Sequence, residues 1–131
     1  MKKPIYTNLT DDGAVHGTHV LVDAYRVPTS ICLDDGGMLD LIVEAVKETT
    51  SMKIMGQMRY RFGADSDPGF TCICLLDASH CSVHTYAEQG KLAADFFTCG
   101  DHNPELIWKY VASKLGLKDY NIKVVPRFTH N

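Results

Sequence analysis

Residues 77–88 read D-A-S-H-C-S-V-H-T-Y-A-E and place serine, histidine, cysteine and carboxylate side chains within twelve residues. A second reactive stretch, D-F-F-T-C-G-D-H, follows at residues 95–102. The turn-forming run 87–90 separates them, so we predict a hairpin with strands over 80–86 and 92–99. One hairpin and its flanking turns therefore gather several groups that could move protons or attack a carbonyl.

The remaining elements can be predicted outward from this hairpin. Alternating or continuous apolar patterns predict strands over 17–25, 53–62, 70–76 and 121–128. Pro126 places the last of them at a sheet edge. Two helices are predicted, one after Gly36-Gly37 and one opened by Asn103-Pro104 and closed by Gly116. The expected core positions of the helices are Met38, Leu41, Ile42, Ala45 and Val46 in the first and Trp108, Val111, Ala112 and Leu115 in the second.

This order of elements predicts an α+β fold, a two-layer α/β sandwich with a mostly antiparallel sheet. Strand 70–76 is apolar on both faces, which predicts a helix layer on one face and another layer on the second. We therefore expect two chains to stack sheet to sheet as a homodimer, in a four-layer αββα arrangement.

Length and composition restrict the class of protein. The 131 residues suit a single domain, expected over 16–131 after a flexible N-terminal arm over 1–15. A net charge of −3 gives no reason to expect nucleic acid or an anionic membrane as a partner. We expect no signal peptide, because polar residues follow Pro4, and no run approaches the length of a membrane-spanning helix. The odd number of cysteines, 5, favours reduced thiols in a cytoplasmic protein.

Two general kinds of site fit the hairpin poorly. His80 and His84 would stand about 13 Å apart on one strand, at about 3.3 Å per residue, which is too far for one zinc ion. No C-x-x-C pair exists, so we expect no metal. Ser79 is not in a G-x-S-x-G motif, so an ordinary hydrolase nucleophile is not indicated either.

The combined pattern resembles the short prokaryotic S-adenosylmethionine decarboxylase family. The run is L-x-x-S-H-x-x-x-H-T-[aromatic]-x-E-x-G-x-x-A-x-D-x-F-T-C-G. Here its positions are Leu76, Ser79, His80, His84, Thr85, Tyr86, Glu88, Gly90, Ala93, Asp95, Phe97, Thr98, Cys99 and Gly100. Gly17-Thr18-His19 and Arg61-Phe62 are also similar to family motifs, and the resemblance covers about residues 16–128.

The resemblance implies that the chain is a proenzyme that cuts itself between Ala78 and Ser79. Ser79 would become a pyruvoyl group, which would bind the substrate amine as a Schiff base and accept the electron pair released with carbon dioxide. No metal and no pyridoxal phosphate would be needed. The implied substrate is S-adenosylmethionine, and the product would serve polyamine (spermidine) biosynthesis.

The same resemblance assigns roles to individual residues. His84 matches the base of self-cleavage, Thr71 stands where a processing serine is usual, and Cys99 matches the proton donor to the substrate carbon. Phe62 and Tyr86 match aromatic residues that stack on adenine, and Glu88 matches a glutamate beside the pocket. The separation of Ser79 and His84 is odd, so a shared site requires a bulge or Ser79 in the turn before the strand.

The chain also departs from the family pattern. Ala78 stands where glutamate usually precedes the cleaved serine, and Tyr86-Ala87 replaces Trp-Pro. These changes surround the substrate and leave two alternatives open. One is a pyruvoyl-dependent decarboxylase of a basic amino acid such as ornithine or arginine, with Glu88, Asp65 or Asp67 holding the distal cation. The other is a non-processing homologue with a binding or regulatory role.

Overall fold

The computed structural model describes residues 16–129, and the arm predicted over 1–15 lies outside them. These residues form six strands, three α-helices and a short 3-10 turn at Ala87–Gln89. The strands are β1 (Gly17–Ala24), β2 (Ile54–Phe62), β3 (Gly69–Leu76), β4 (His80–Tyr86), β5 (Lys91–Cys99) and β6 (Tyr120–Arg127). The helices are α1 (Thr29–Cys32), α2 (Asp35–Thr49) and α3 (Glu105–Leu115). No described helix has the length and apolar character needed to cross a bilayer.

All strand pairs are antiparallel, and the sheet order is β2-β3-β4-β5-β1-β6. Strand β6 is an edge strand, as Pro126 predicts, because proline has no N–H to donate to a neighbouring strand. Helices α2 and α3 cover one face, where they contact each other and the sheet. The predicted α+β sandwich with an antiparallel sheet is confirmed.

The helix ends follow from local sequence. Asp34 caps α2 by accepting a hydrogen bond from the Gly37 N–H at 3.0 Å, and Asn103 accepts one from the Glu105 N–H at 3.1 Å. Gly116 closes α3 with a φ of 70°, in the left-handed region that glycine adopts without strain. Helix α2 begins before the glycine pair rather than after it, because the cap is Asp34.

Two details of the helices differ from the sequence prediction. Leu39 and Ile107 are buried, whereas Leu41 and Leu115 are only half-buried at the margin of the core. Both helices are therefore rotated slightly relative to the predicted faces. The short helix α1 was not predicted. Pro28 indicates the end of the preceding strand, and four residues are too few to show a helical pattern of apolar positions.

Residues 16–129 leave the second face of the sheet uncovered, and we call it the open face. Cross-strand register places Leu21, Asp95, Ser82, Ile73 and Met58 in one row across it. Large apolar side chains are exposed on this face: Leu21, Met58, Tyr60, Ile73, Leu75 and Tyr86. Strand β3 is apolar on both faces, but only its core-facing side chains are buried within one chain. On the open face, Leu75 is 55% exposed.

Candidate active site at the open face

Ser79 lies in the tight turn between β3 and β4. Leu75 pairs with His80, and the Leu76 N–H donates to the Ser79 carbonyl at 2.9 Å. Asp77 and Ala78 therefore form the tip of the turn, and the Ala78–Ser79 peptide lies at one end of the sheet. Of the two arrangements that the odd spacing allows, the structure has the serine in the turn before the strand.

Cys99 contacts both sides of the Ala78–Ser79 peptide. Its backbone N–H donates to Ser79 Oγ at 3.1 Å, and its thiol donates to the Ala78 carbonyl oxygen at 3.0 Å. Ser79 is 7% exposed and Cys99 is 8% exposed, so bulk water screens these contacts little. A donor on the Ala78 oxygen stabilises negative charge that develops there when a nucleophile attacks the carbonyl carbon. The hydroxyl of the next residue, Ser79, is such a nucleophile.

His84 and Thr71 form a separate pair on the open face. They face each other across β3 and β4, and Thr71 Oγ1 lies 3.0 Å from His84 Nδ1. His84 is five residues along β4 from Ser79, which corresponds to about 16 Å at about 3.3 Å per residue. Within one chain, the structure does not bring this histidine to the serine.

Phe62, Tyr86 and Glu88 form a third group at the far end of β4. The Phe62 and Tyr86 rings have centroids 6.5 Å apart and planes tilted by 52°. Gly69 lies beneath Phe62, and a Cβ at that position would come within 2.7 Å of the ring. Tyr86 is seven residues from Ser79, about 23 Å along the strand.

Glu88 has a second carboxylate beside it. The carboxylate of Asp67, from the loop before β3, lies beside it and raises the pKa of Glu88. Two neighbouring carboxylates on a rim attract a proton or an organic cation. The sequence suggested Glu88, Asp65 or Asp67 as the partner of a substrate cation. The structure places Glu88 and Asp67 side by side.

Sequence reasoning missed a cluster at the centre of the open face, formed by His19, His80 and Asp95. Asp95 Oδ1 lies 3.0 Å from His80 Nε2 and 3.3 Å from His19 Nε2. The Ser82 hydroxyl donates to Asp95 Oδ2 at 2.9 Å. The contact with His80, reinforced by Ser82 and His19, holds the pKa of Asp95 well below its usual range despite partial burial. Alternation within each strand could have placed these residues on one face, but only the register shows that they meet.

The other strand cysteines belong to the core. Cys72, Cys74 and Cys81 are fully buried as thiols on the helix-covered face. Desolvation raises the pKa of each thiol, that of Cys72 to about 12. A thiolate is the reactive form of cysteine, so these three side chains have no accessible chemistry near neutral pH.

Comparisons with known proteins identify a family to which the chain is similar. Residues 18–128 match the family model described as S-adenosylmethionine decarboxylase. The chain is 34% identical over 102 residues to the S-adenosylmethionine decarboxylase proenzyme of Pyrobaculum islandicum, covering 77% of this chain and 79% of that one. It is also 28% identical over 118 residues to the arginine decarboxylase proenzyme of Caldivirga maquilingensis, covering 89% and 87%.

A solved structure supports the same relationship. The crystal structure of the adenosylmethionine decarboxylase from Aquifex aeolicus superimposes with a TM-score of 0.67 at 27% identity, covering 83% of this chain and 88% of that chain. On the family match and these relatives together, the chain belongs to the S-adenosylmethionine decarboxylase family of pyruvoyl-dependent decarboxylases.

Proposed function

We propose that this chain is a self-processing proenzyme whose pyruvoyl form decarboxylates S-adenosylmethionine, supplying the aminopropyl donor for spermidine synthesis in the cytoplasm. The observation that carries the proposal is the pair of hydrogen bonds from Cys99 to the Ala78–Ser79 peptide. An ordinary structural turn does not need a buried thiol on its carbonyl.

Self-cleavage follows from this geometry by an acyl shift. Ser79 Oγ attacks the Ala78 carbonyl carbon, the Cys99 thiol stabilises the oxygen that becomes negative, and the Ala78–Ser79 amide rearranges to an ester. Loss of the Ser79 Cα proton then expels the Ala78 carboxylate, which retains the serine oxygen. Water converts the remaining dehydroalanine to a pyruvoyl group and releases ammonia. The fragments are residues 1–78 and 79–131.

The residues around the new N-terminus suit the second reaction as well. The pyruvoyl group, when formed, supplies the electron sink that no ordinary side chain provides. The Cys99 thiol remains positioned beside residue 79 and returns a proton to the substrate carbon after carbon dioxide leaves. His84, held by Thr71, acts as the base of self-cleavage.

These assignments require two chains, because one chain separates the groups along the sheet. Ser79 lies about 16 Å from His84 and about 23 Å from Tyr86, farther than one substrate-sized site extends. A homodimer that stacks two open faces in antiparallel orientation places the Ser79 end of one chain over the Tyr86 end of its partner. The exposed apolar side chains of the open face favour such an interface. We therefore propose that each active site is shared between two protomers.

The aromatic pair and the carboxylate pair favour different substrates. Phe62 and Tyr86 offer faces for adenine and for a sulfonium cation, which supports S-adenosylmethionine. The adjacent Glu88 and Asp67 would instead hold the distal cation of a basic amino acid. This second candidate, decarboxylation of arginine or ornithine, is also favoured by the arginine decarboxylase proenzyme among the relatives.

The deciding experiment measures carbon dioxide release from carboxyl-labelled S-adenosylmethionine, arginine and ornithine by the same preparation. We expect release from S-adenosylmethionine alone. Release only from a basic amino acid would replace the substrate and leave the processing chemistry unchanged. Tight binding of S-adenosylmethionine by an uncleaved chain, with no release from any substrate, would indicate the non-processing homologue.

The shared site has its own test. Ser79→Ala and His84→Ala chains are each expected to be inactive alone. Co-expressed, they should form mixed dimers in which one site combines an intact Ser79 with an intact His84 and so regains cleavage. Mixed dimers that stay uncleaved would contradict the shared site.

A further inference from the structure

The cluster of His19, His80 and Asp95 has no role in the reaction proposed above. Its residues come from three adjacent strands. His19 on β1 and His80 on β4 both lie opposite Phe97 on β5, the strand between them. Asp95 is two residues along β5 from Phe97 and therefore on the same face. Antiparallel pairing holds all three backbones, so the side chains converge from a rigid platform.

The ligand atoms lie at distances that suit a small metal ion. One ligand atom each from His19, His80 and Asp95 lies within 4.8 Å of the other two, and Asp95 Oδ1 is 3.3 Å from His19 Nε2 and 3.0 Å from His80 Nε2. Zinc bound tetrahedrally at about 2.0–2.1 Å has ligand atoms about 3.3 Å apart.

Neighbouring groups fix the orientation of the ligands. The Ser82 hydroxyl holds Asp95 Oδ2 and leaves Oδ1 directed at both imidazoles. The Phe97 ring contacts both histidine rings, with centroids 5.9 Å from His19 and 6.1 Å from His80. A hydrogen-bonded carboxylate and an apolar wall are the surroundings that tune and orient metal ligands in proteins.

We propose that His19, His80 and Asp95 form a binding site for a divalent transition-metal ion, best matched to Zn²⁺. Two imidazoles and one carboxylate select zinc and its neighbours in the first transition row over Mg²⁺ and Ca²⁺, which prefer all-oxygen sites. In a single chain the side chains are 22%, 37% and 32% exposed on the open face, so an ion can bind them before two open faces stack. By joining β1, β4 and β5, the ion stabilises the folded chain.

The sequence excluded a different arrangement, in which His80 shared an ion with His84 on one strand. The structure instead brings His80 together with His19, which lies 61 positions earlier in the chain, on β1. This site uses neither Ser79 nor Cys99, so it stands whether or not the chain processes itself.

Zinc binding to the untagged full-length protein, followed by calorimetry and by metal content after dialysis, tests the proposal. We expect about one ion per chain and a melting temperature raised by several degrees. His19→Gln and His80→Gln should each weaken binding by at least about tenfold to a hundredfold. Glutamine retains a donor for Asp95, and the circular dichroism spectrum of each variant reports whether it folds. His102→Gln is the matched control and should bind as the wild type does.

Cobalt(II) in place of zinc gives a readout that needs no variant. A nitrogen and oxygen ligand set predicts visible absorption bands without a thiolate-to-cobalt charge-transfer band. Such a thiolate band, or zinc binding that is unchanged in both His19→Gln and His80→Gln, would overturn the proposal. So would zinc binding by the wild type that does not survive dialysis.

Discussion

The contact between the Cys99 thiol and the Ala78 carbonyl predicts the effect of Cys99→Ala on self-cleavage. The donor lies 3.0 Å from the oxygen and is 8% exposed, so the contact strengthens as that oxygen becomes negative. A hydrogen bond to a charged group contributes roughly 1.5–3 kcal/mol. At about 1.4 kcal/mol per tenfold in rate, this corresponds to a loss of about 10-fold to 100-fold. Because a thiol is a weak donor, we expect the lower end of that range.

The assay follows the appearance of the fragment 79–131 by electrophoresis after refolding of the uncleaved chain. Cys99→Ser replaces the thiol by a hydroxyl donor and should cleave faster than Cys99→Ala. Both variants keep the backbone N–H on Ser79 Oγ, so any difference between them reports the contact with the carbonyl oxygen. Cleavage of Cys99→Ala at the wild-type rate would refute the role of the thiol in processing.

Three further substitutions test other parts of the structure. Arg59 hydrogen-bonds to Asp35 and Arg61 reinforces it, which lowers the pKa of Asp35 to about 2. Because the folded-state pKa lies below the unfolded value, this stabilisation is present above about pH 4 and is lost as the pH falls toward 2. Across that window, urea unfolding should show the free energy of unfolding falling by at most about 2 kcal/mol, because both guanidinium groups are half exposed and solvent weakens the contact. The Asp35→Asn variant should not show this fall. Tyr86→Ala should raise the Michaelis constant for S-adenosylmethionine about tenfold in steady-state kinetics, whereas an unchanged constant would remove the tyrosine from the adenine site. Ile73→Glu places a charge in the middle of the open face, and light scattering should then find monomers of the variant and dimers of the wild type; an unchanged mass would contradict an interface at this face.

Local chemistry made most of the fold predictable. Asn103 marks the start of α3 by accepting a hydrogen bond from a backbone N–H, and Gly116 marks its end by adopting a left-handed conformation. Pro126 removes one backbone donor and so places β6 at an edge. Each of these effects acts within a few residues and is readable from a short stretch of sequence.

The arrangement of the site was less predictable, because it depends on register between distant strands. The contact of Cys99 with Ala78 and the meeting of His19 with His80 join residues that no periodicity relates. The distance from Ser79 to His84, by contrast, could be anticipated from the rise of a strand. The family resemblance assigns Ser79 and His84 to the same reaction, whereas the structure keeps them apart within one chain.

The central claim is that the turn at Ser79 breaks its own backbone, and the intact mass of the purified protein tests it most directly. We predict two species, residues 1–78 with a free carboxylate and residues 79–131 lighter by one ammonia than the same fragment beginning with serine. The Ser79→Ala chain should have the mass of one uncut polypeptide. A single full-length species with an unmodified Ser79, in a preparation that releases carbon dioxide from S-adenosylmethionine, would contradict the account.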